Sequence, residues 1–506
     1  MTRTSKHIFL TLSTLLFLNA FVHAQQSPQP VDERSEFVTR AGTSLQLSGK
    51  LFRYSGPNIE WLGLEAYGPH DPQGPRYPSH FEVDDAMDTA KEMGARVIRS
   101  QTLGDSVGCE LCIEPNPGVF NPEAFKAIDY AIKAAHDRGI RLIITLAGDC
   151  ATCALSGPGE YVEWKHQRDP KAFFTDPEVI AAFENHVSAV LNHKNALTGL
   201  SYKDDPTILA WENCNMCGLG VVWTSRSRDF TPYLPWIDTI GKFVKSIDAR
   251  HLYLDTSGFF RYDKNALDAK TPDLVTWEYY PHWDALVADL EKTTAQSLSQ
   301  DAAAATAHGK AYIVNEFGWD VTDWPTQNDL QLVLHNLETD PNISGDDYWA
   351  LQAHADNFGW QSIPANVSNE VYARKGESGQ WWALYYGGIT TMVNTSDDMR
   401  ARAQQLRSHA YAMAGMQIPP HQVPPPPVIT TKGLGFIGWR GSAGAVSYSV
   451  QRQVGEADSW ETICDKCATD ADSPWPDPKP AMIFGARYRV IAYNADGVAS
   501  APSAPR

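Results

Sequence analysis

Between Ile59 and Met413 the chain repeatedly alternates short apolar runs with longer segments whose apolar residues recur at helical spacing. Each apolar run is continuous, the pattern of a strand buried on both faces. The expected strands are Ile59–Tyr67, Arg96–Ser100, Arg141–Leu146, Thr207–Trp211, His251–Asp255, Leu274–Glu278, Ala311–Asn315 and Asp347–Leu351. Helices are expected over Phe81–Met93, Pro122–Ala135, Pro177–Leu191, Trp236–Ile247, Leu286–Ala305, Asn328–Leu337 and Asp397–Met413. Asn121 and Asp176 stand at N-cap positions before two of them. A helix follows seven of the eight strands, with weak signal after the fifth. That order predicts an α/β chain folded as a (β/α)8 TIM barrel. A doubly wound open sheet would call for a Gly-rich phosphate loop after the first strand, and none is present.

The flanks read differently. An N-terminal charged region (Arg3, Lys6), an apolar stretch Ile8–Phe21 and Val22-His23-Ala24 make a secretory signal over 1–24, too short for a membrane span. The exported protein is therefore expected to be secreted or periplasmic, and monomeric. Phe37–Tyr54 alternates like a β-hairpin and opens a barrel domain over 25–417. A Pro-rich linker, 418–428, precedes 429–506, where short strands (Gly435–Trp439, Ser447–Arg452, Arg487–Tyr493) predict a small all-β sandwich.

The 8 cysteines fall into Cys-x-x-Cys pairs at 109/112, 150/153, 214/217 and 464/467. In an exported chain an even count argues for disulfides, here local staples. A zinc clasp and a redox pair are the alternatives. A net charge of −18 without a Lys or Arg run excludes a nucleic-acid surface. No cofactor motif appears.

Two stretches carry chemistry: Ile208–Cys217 and Ala311-Tyr-Ile-Val-Asn-Glu-Phe-Gly318, apolar runs that end in polar residues. Phe174-Thr-Asp-Pro-Glu178, Leu191-Asn-His-Lys-Asn195 and Thr198–Glu212 resemble the endo-β-1,4-mannanases of glycoside hydrolase family 5. Trp236-Ile-Asp-Thr-Ile-Gly and Lys245–His251 continue the resemblance over about residues 36–415. It implies a retaining hydrolase acting on a β-linked polysaccharide or oligosaccharide, mannan-like, without a metal. By the same resemblance Glu316 is the nucleophile and Arg99 its hydrogen-bonding arginine. Asn215 would touch the sugar's 2-hydroxyl, Tyr280 would stand beside the nucleophile, and Trp349 would floor the sugar. Trp439, Tyr448 and Tyr488–Asn494 with Gly497 resemble a fibronectin type III module.

Three positions depart from the family pattern. Met216 stands where the acid/base glutamate is usual, and a thioether donates no proton. Glu278 replaces the histidine of His-x-Tyr-Pro, and Glu65 stands where an amide is usual. Glu278 is the preferred relocated acid, with Glu212 and Glu65 behind it. Two functions follow: a glycosidase with a non-standard acid, or a carbohydrate-binding pseudoenzyme that kept the cleft. Retention of Glu316, Arg99, Asn215, Tyr280 and Trp349 together points to the enzyme.

Overall fold

The computed structural model describes residues 1–2, 32–65, 75–148, 157–218, 233–257, 267–282, 295–361, 382–391, 393–455, 459–470, 474–478 and 485–506. The signal segment, Cys150 and Cys153 lie outside them, as does the start of the helix expected over Leu286–Ala305.

A three-stranded antiparallel sheet comes first: β1 Thr39–Ala41, β2 Ser44–Leu47 and β3 Lys50–Leu51. The parallel strands follow: β4 Tyr54–Pro57, β5 Val97–Ser100, β6 Arg141–Thr145, β7 Ile208–Glu212 and β8 Leu252–Asp255. The last of them are β9 Leu274–Val275, β10 Glu278–Tyr279, β11 Ala311–Gly318 and β12 Ile343–Trp349. They pair in the order β4-β12-β11-β9-β8-β7-β6-β5, with β10 also beside β11. A parallel bridge between Asn58 and Arg99, with the Ile59 N–H on the Arg99 carbonyl at 2.9 Å, joins the two ends into a barrel.

The first barrel strand is Tyr54–Pro57, not Ile59–Tyr67 as the sequence suggested. The apolar run Ile59–Leu64 packs against the helices as a loop instead. Glu65 consequently does not end a barrel strand; it sits in a loop, ion-paired to Arg76 at 2.5 Å. The expected sixth strand is broken into the short pieces β9 and β10.

The helices that wrap the barrel begin where local chemistry satisfies their free N–H groups. Ser79 and Glu82 form a capping box for α1 (His80–Glu92), and Asn121 caps α2 (Pro122–Arg138), which ends at left-handed Gly139. Helices α3 (Gly157–Trp164) and α4 (Ala172–Thr175) precede α5 (Pro177–Asn192), capped by Asp176. Then come α6 (Leu234–Ile247), α7 (Ala295–Ala307), α8 (Gln327–Thr339, boxed by Thr326 and Asp329) and α9 (Ser396–Met413).

Strand alternation divides the core. Val97, Ile143, Leu209, Leu254 and Ile313 fill the barrel interior, and Val38, Leu45, Leu47 and Phe52 from the hairpin region close its lower end. Ile98, Ile144, Ile208, Trp211 and Tyr312 face the helices. With the lower end filled, the upper strand ends are left for polar side chains.

The C-terminal strands form two antiparallel sheets around Trp439, Tyr448 and Val490. One is β13 Val428–Gly433, β14 Phe436–Arg440 and β17 Trp475–Pro476; the other is β15 Ser447–Val454, β16 Glu461–Ala468 and β18 Ala486–Tyr493. Cys464 and Cys467 are joined within β16. The sandwich is fastened to the barrel. His354, after β12, places Nδ1 2.9 Å from Asp85 on α1 and Nε2 3.0 Å from Asp470 of the sandwich. Glu92 on α1 takes Arg407, the Gln422 N–H and His421, the last at 2.6 Å, so the Pro-rich stretch is anchored as well.

Burial disfavours the His354 charge, but Asp85 and Asp470 outweigh it and push the imidazole up to about 10. His354→Ala leaves two buried carboxylates without their cation, a loss of about 3–5 kcal/mol in denaturant unfolding at neutral pH. That difference should persist below pH ~6.5 and fade as pH rises through about 10, where the wild-type imidazole discharges.

Candidate active site

Arg99 is the hub. By the alternation of β5, with Val97 inside and Ile98 outside, its side chain enters the barrel, where it is fully buried. Nε and Nη2 donate to the two Glu212 oxygens at 2.7 and 2.6 Å. Nη2 also donates to Asn215 Oδ1 at 2.7 Å. Nη1 donates to Asn58 Oδ1 at 2.9 Å and to Glu316 Oε2 at 2.8 Å. Burial disfavours the guanidinium, yet Glu212, then Glu316 and Glu278, offset it and hold the group above its ordinary value. The arginine is a permanent charge.

Glu316 reaches that charge through an irregularity. Along β11, Ala311 and Ile313 point inward, so strict alternation would turn residue 316 toward the helices. The pairing of β11 with β12 shifts register between Val314 and Phe317, and this bulge turns the carboxylate into the barrel. Tyr280 O–H donates to its other oxygen, Oε1, at 2.6 Å.

Glu278 and Glu316 are direct neighbours in the parallel pairing of β10 and β11. Burial lifts both carboxyls above the ordinary range, but Arg99 and Tyr280 counter the effect at Glu316. At Glu278 burial and the neighbouring Glu316 dominate, and its carboxyl is pushed well above the usual value. Glu278 Oε2 is buried and has no hydrogen-bond partner among the described residues. The pair therefore ionises in order, Glu316 first.

Glu212 is not a mobile proton carrier. Besides Arg99 it accepts from Thr145 Oγ1 at 2.7 Å and Thr256 Oγ1 at 2.6 Å, so both oxygens are occupied. Asn215 bridges to Gly148 and is followed by Met216, which has φ +54°, between the bonded Cys214 and Cys217. Cys109 and Cys112 are likewise bonded. Trp349 ends β12 opposite Gly318 in the pairing with β11.

The structure thus gathers Arg99, Asn215, Tyr280, Glu278 and Glu316 at the upper end of the barrel, with Trp349 at the adjoining strand end. Sequence reading missed Asn58, because the first strand was set five residues late, and also Thr145 and Thr256, whose hydrogen bonds to Glu212 only the folded barrel brings about. It also missed two carboxyls. Half-buried Glu60 is pushed up to about 7 by burial and Glu316, and Asp105 to about 8 by burial and Glu212. Among the described residues no group of three or more His, Cys, Asp or Glu is arranged to hold a metal ion, and no helix is long and apolar enough to cross a membrane.

The profile of the GH family 5 beta-mannosidase-like proteins matches residues 35–395. The chain belongs to this family. Among similar proteins, the mannan endo-1,4-beta-mannosidase 2 of Oryza sativa subsp. japonica is 35% identical over 233 residues, 44% of this chain and 48% of that one. The enzyme of the same name from Arabidopsis thaliana is 32% identical over 233 residues, 44% of this chain and 49% of its own. The chain spans about half the length of these curated relatives. Of solved structures, the endo-1,4-beta-mannanase of Rhizomucor miehei superposes with TM-score 0.56 at 22% identity, covering 75% of this chain and 99% of that one. The endo-beta-1,4-mannanase of Thermotoga petrophila gives 0.53 at 19%, covering 90% and 98%. At these identities the structures speak for the fold.

Raised carboxyls make stability depend on pH. Asp105 and Glu60 hold protons in the folded site at pH values where the unfolded chain, with ordinary values of 3.8 and 4.5, has lost them. Their contribution is complete below pH ~4 and is lost as pH rises through about 7 and about 8. The thermal midpoint should fall between pH 5 and 8, and Asp105→Asn should flatten the upper part of that slope.

Proposed function

We propose that this chain is an exported retaining glycosidase that cleaves β-mannosidic linkages, with Glu316 as nucleophile and Glu278 as proton donor. The observation that carries the reading is the divergence of two neighbouring carboxyls. Glu316 receives Arg99 and Tyr280, while Glu278 keeps an unpartnered, buried oxygen. Two titratable groups driven apart by their surroundings are the signature of an acid and a nucleophile.

In the first step the Glu316 carboxylate attacks the anomeric carbon and the glycosidic C–O bond breaks. The Glu278 proton moves to the departing oxygen. In the second, ionised Glu278 takes a proton from water, whose oxygen displaces Glu316 and releases the sugar with its starting stereochemistry. Arg99 holds the nucleophile charged, and Asn215, oriented by Arg99, offers its amide to the sugar. Trp349 supplies an aromatic face at the strand end, and the sandwich is read as a fibronectin type III-like module. Mannan is favoured as substrate because the similar rice and Arabidopsis thaliana proteins are mannan endo-1,4-beta-mannosidases. Export is supported by the N-terminal sequence and the bonded cysteine pairs.

An aryl β-mannoside with a good leaving group needs little protonation, whereas a manno-oligosaccharide needs it fully. Glu316→Ala should abolish turnover of both. Glu278→Gln should slow the oligosaccharide by about 10²–10⁴-fold and largely spare kcat/KM for the aryl substrate, whose first step needs no acid, while its kcat falls because the second step has lost its base. Equal rates for Glu278→Gln and wild type on the oligosaccharide would remove Glu278 from the role. Manno-oligosaccharide binding by wild type with no turnover of either substrate would leave a carbohydrate-binding protein.

A further inference from the structure

A second group of polar side chains lies beside the Arg99 hub, on the loops that follow β4 and β5. Gln101 follows Ser100, the last residue of β5. Continued one step past the strand end, the alternation that sends Val97 and Arg99 inward would set its side chain on the inner face. It is 6% exposed, yet neither its amide oxygen nor its amide nitrogen has a hydrogen-bond partner among the described residues. Asp105 is also 6% exposed and has one unpartnered oxygen, Oδ1.

The two belong to one turn. The Gly104 and Asp105 N–H groups both donate to the Gln101 carbonyl, at 3.1 and 3.2 Å. The Glu60 carbonyl ties the turn to the β4 loop, accepting from Thr102 N–H at 3.0 Å and Thr102 Oγ1 at 2.6 Å. On its far side Asp105 lies against Gly148, where a Cβ would come within 2.5 Å of Oδ2. Gly148 in turn bridges to Asn215. The patch therefore runs from Glu60 through Gln101 and Asp105 to the residue that Arg99 orients. The loop behind it is stapled by Cys109–Cys112 and held by Ile113 N–H on Ser106 Oγ at 2.9 Å.

Buried polar atoms without partners cost stability, and native proteins keep them where a ligand or water completes the bonds. An amide offers one donor edge and one acceptor, and a protonated carboxyl does the same. Burial and Glu212 push Asp105 up to about 8, against the pull of Arg99, so it holds its proton at neutral pH. Such a pair suits adjacent hydroxyls of a neutral sugar. Ionised Glu212 and Glu316 share the single cation Arg99, and the excess negative charge at the hub repels a uronate.

We propose that Gln101 and Asp105 form a sugar subsite beside the nucleophile, binding a vicinal diol of the neutral residue next to the one attacked. This deepens the glycosidase reading and rests on it for which sugar occupies the cleft. The stapled loop supplies the subsite ready-made, without ordering on binding.

The test is calorimetric titration of the full chain carrying Glu316→Gln, which binds without turnover, with β-1,4-linked manno-, gluco- and galactotriose and a mannuronate trisaccharide. One neutral trisaccharide should bind and the mannuronate should not. Gln101→Leu should weaken that binding about tenfold, ~1.4 kcal/mol, while the thermal midpoint holds or rises, because a buried unpaired amide has been removed. A residue that only supported the fold would lower the midpoint. Asp105→Asn should retain affinity and Asp105→Leu should lose it. Unchanged affinity in both Leu variants, or no trisaccharide bound by the Glu316→Gln chain, overturns the subsite. Turnover of the activated aryl mannoside by wild type tests Glu316 separately, so the subsite and the catalytic reading fail by different measurements.

Discussion

One guanidinium neutralises a site crowded with carboxyls. Arg99 touches Glu212 and Glu316 directly, and Glu278 and Asp105 lie within its electrostatic reach. A single positive charge cannot keep all of them ionised inside a low-dielectric barrel. It goes where geometry puts it, to bidentate Glu212 and to Glu316, and the other carboxyls retain protons. The proposed chemistry follows from that allocation: Glu316 as a charged nucleophile, with protonated carboxyls beside it.

The frame around Arg99 serves to fix that allocation. Thr145 and Thr256 fill the remaining acceptor positions of Glu212, so it acts as a rigid counter-ion. The bulge in β11 turns Glu316 inward, and Tyr280 holds its second oxygen. The bonded pairs at 109/112 and 214/217 stiffen the loops after β5 and β7, on the same face as the hub. Below, the hairpin seals the interior with Leu45, Leu47 and Phe52. At the side, His354 ties the C-terminal sheets to α1, and Glu92 ties the Pro-rich stretch to the same helix.

Much of this was legible in the sequence, because buried parallel strands and amphipathic helices carry strong periodic signals. Asn121 and Asp176 were readable as caps, Asn215 and Glu316 stood at the polar ends of apolar runs, and Arg99 and Tyr280 came with the family resemblance. The first strand was not. The hairpin consumes the alternation up to Leu51, and Tyr54-Ser-Gly-Pro57 has too little apolar character to stand out beside Ile59-Glu-Trp-Leu-Gly-Leu64. That displacement hid Asn58 and Glu60 and lent Glu65 a position it does not hold. β16, with Glu461, Asp465 and Lys466 among its residues, reads as polar loop until its pairing with β15 is known. No local pattern announces an orphaned amide such as Gln101, since its state depends on what the folded chain fails to bring near it.

The distribution of protons is the claim on which the rest stands, and infrared difference spectroscopy reads it directly. At neutral pH the wild-type protein should show the carbonyl band of a protonated, buried carboxylic acid. That band should lose one component in Glu278→Gln. A wild-type spectrum without a protonated carboxyl at neutral pH, or one from which Glu278→Gln removes nothing, would contradict the assignment of Glu278 as the acid beside a charged Glu316.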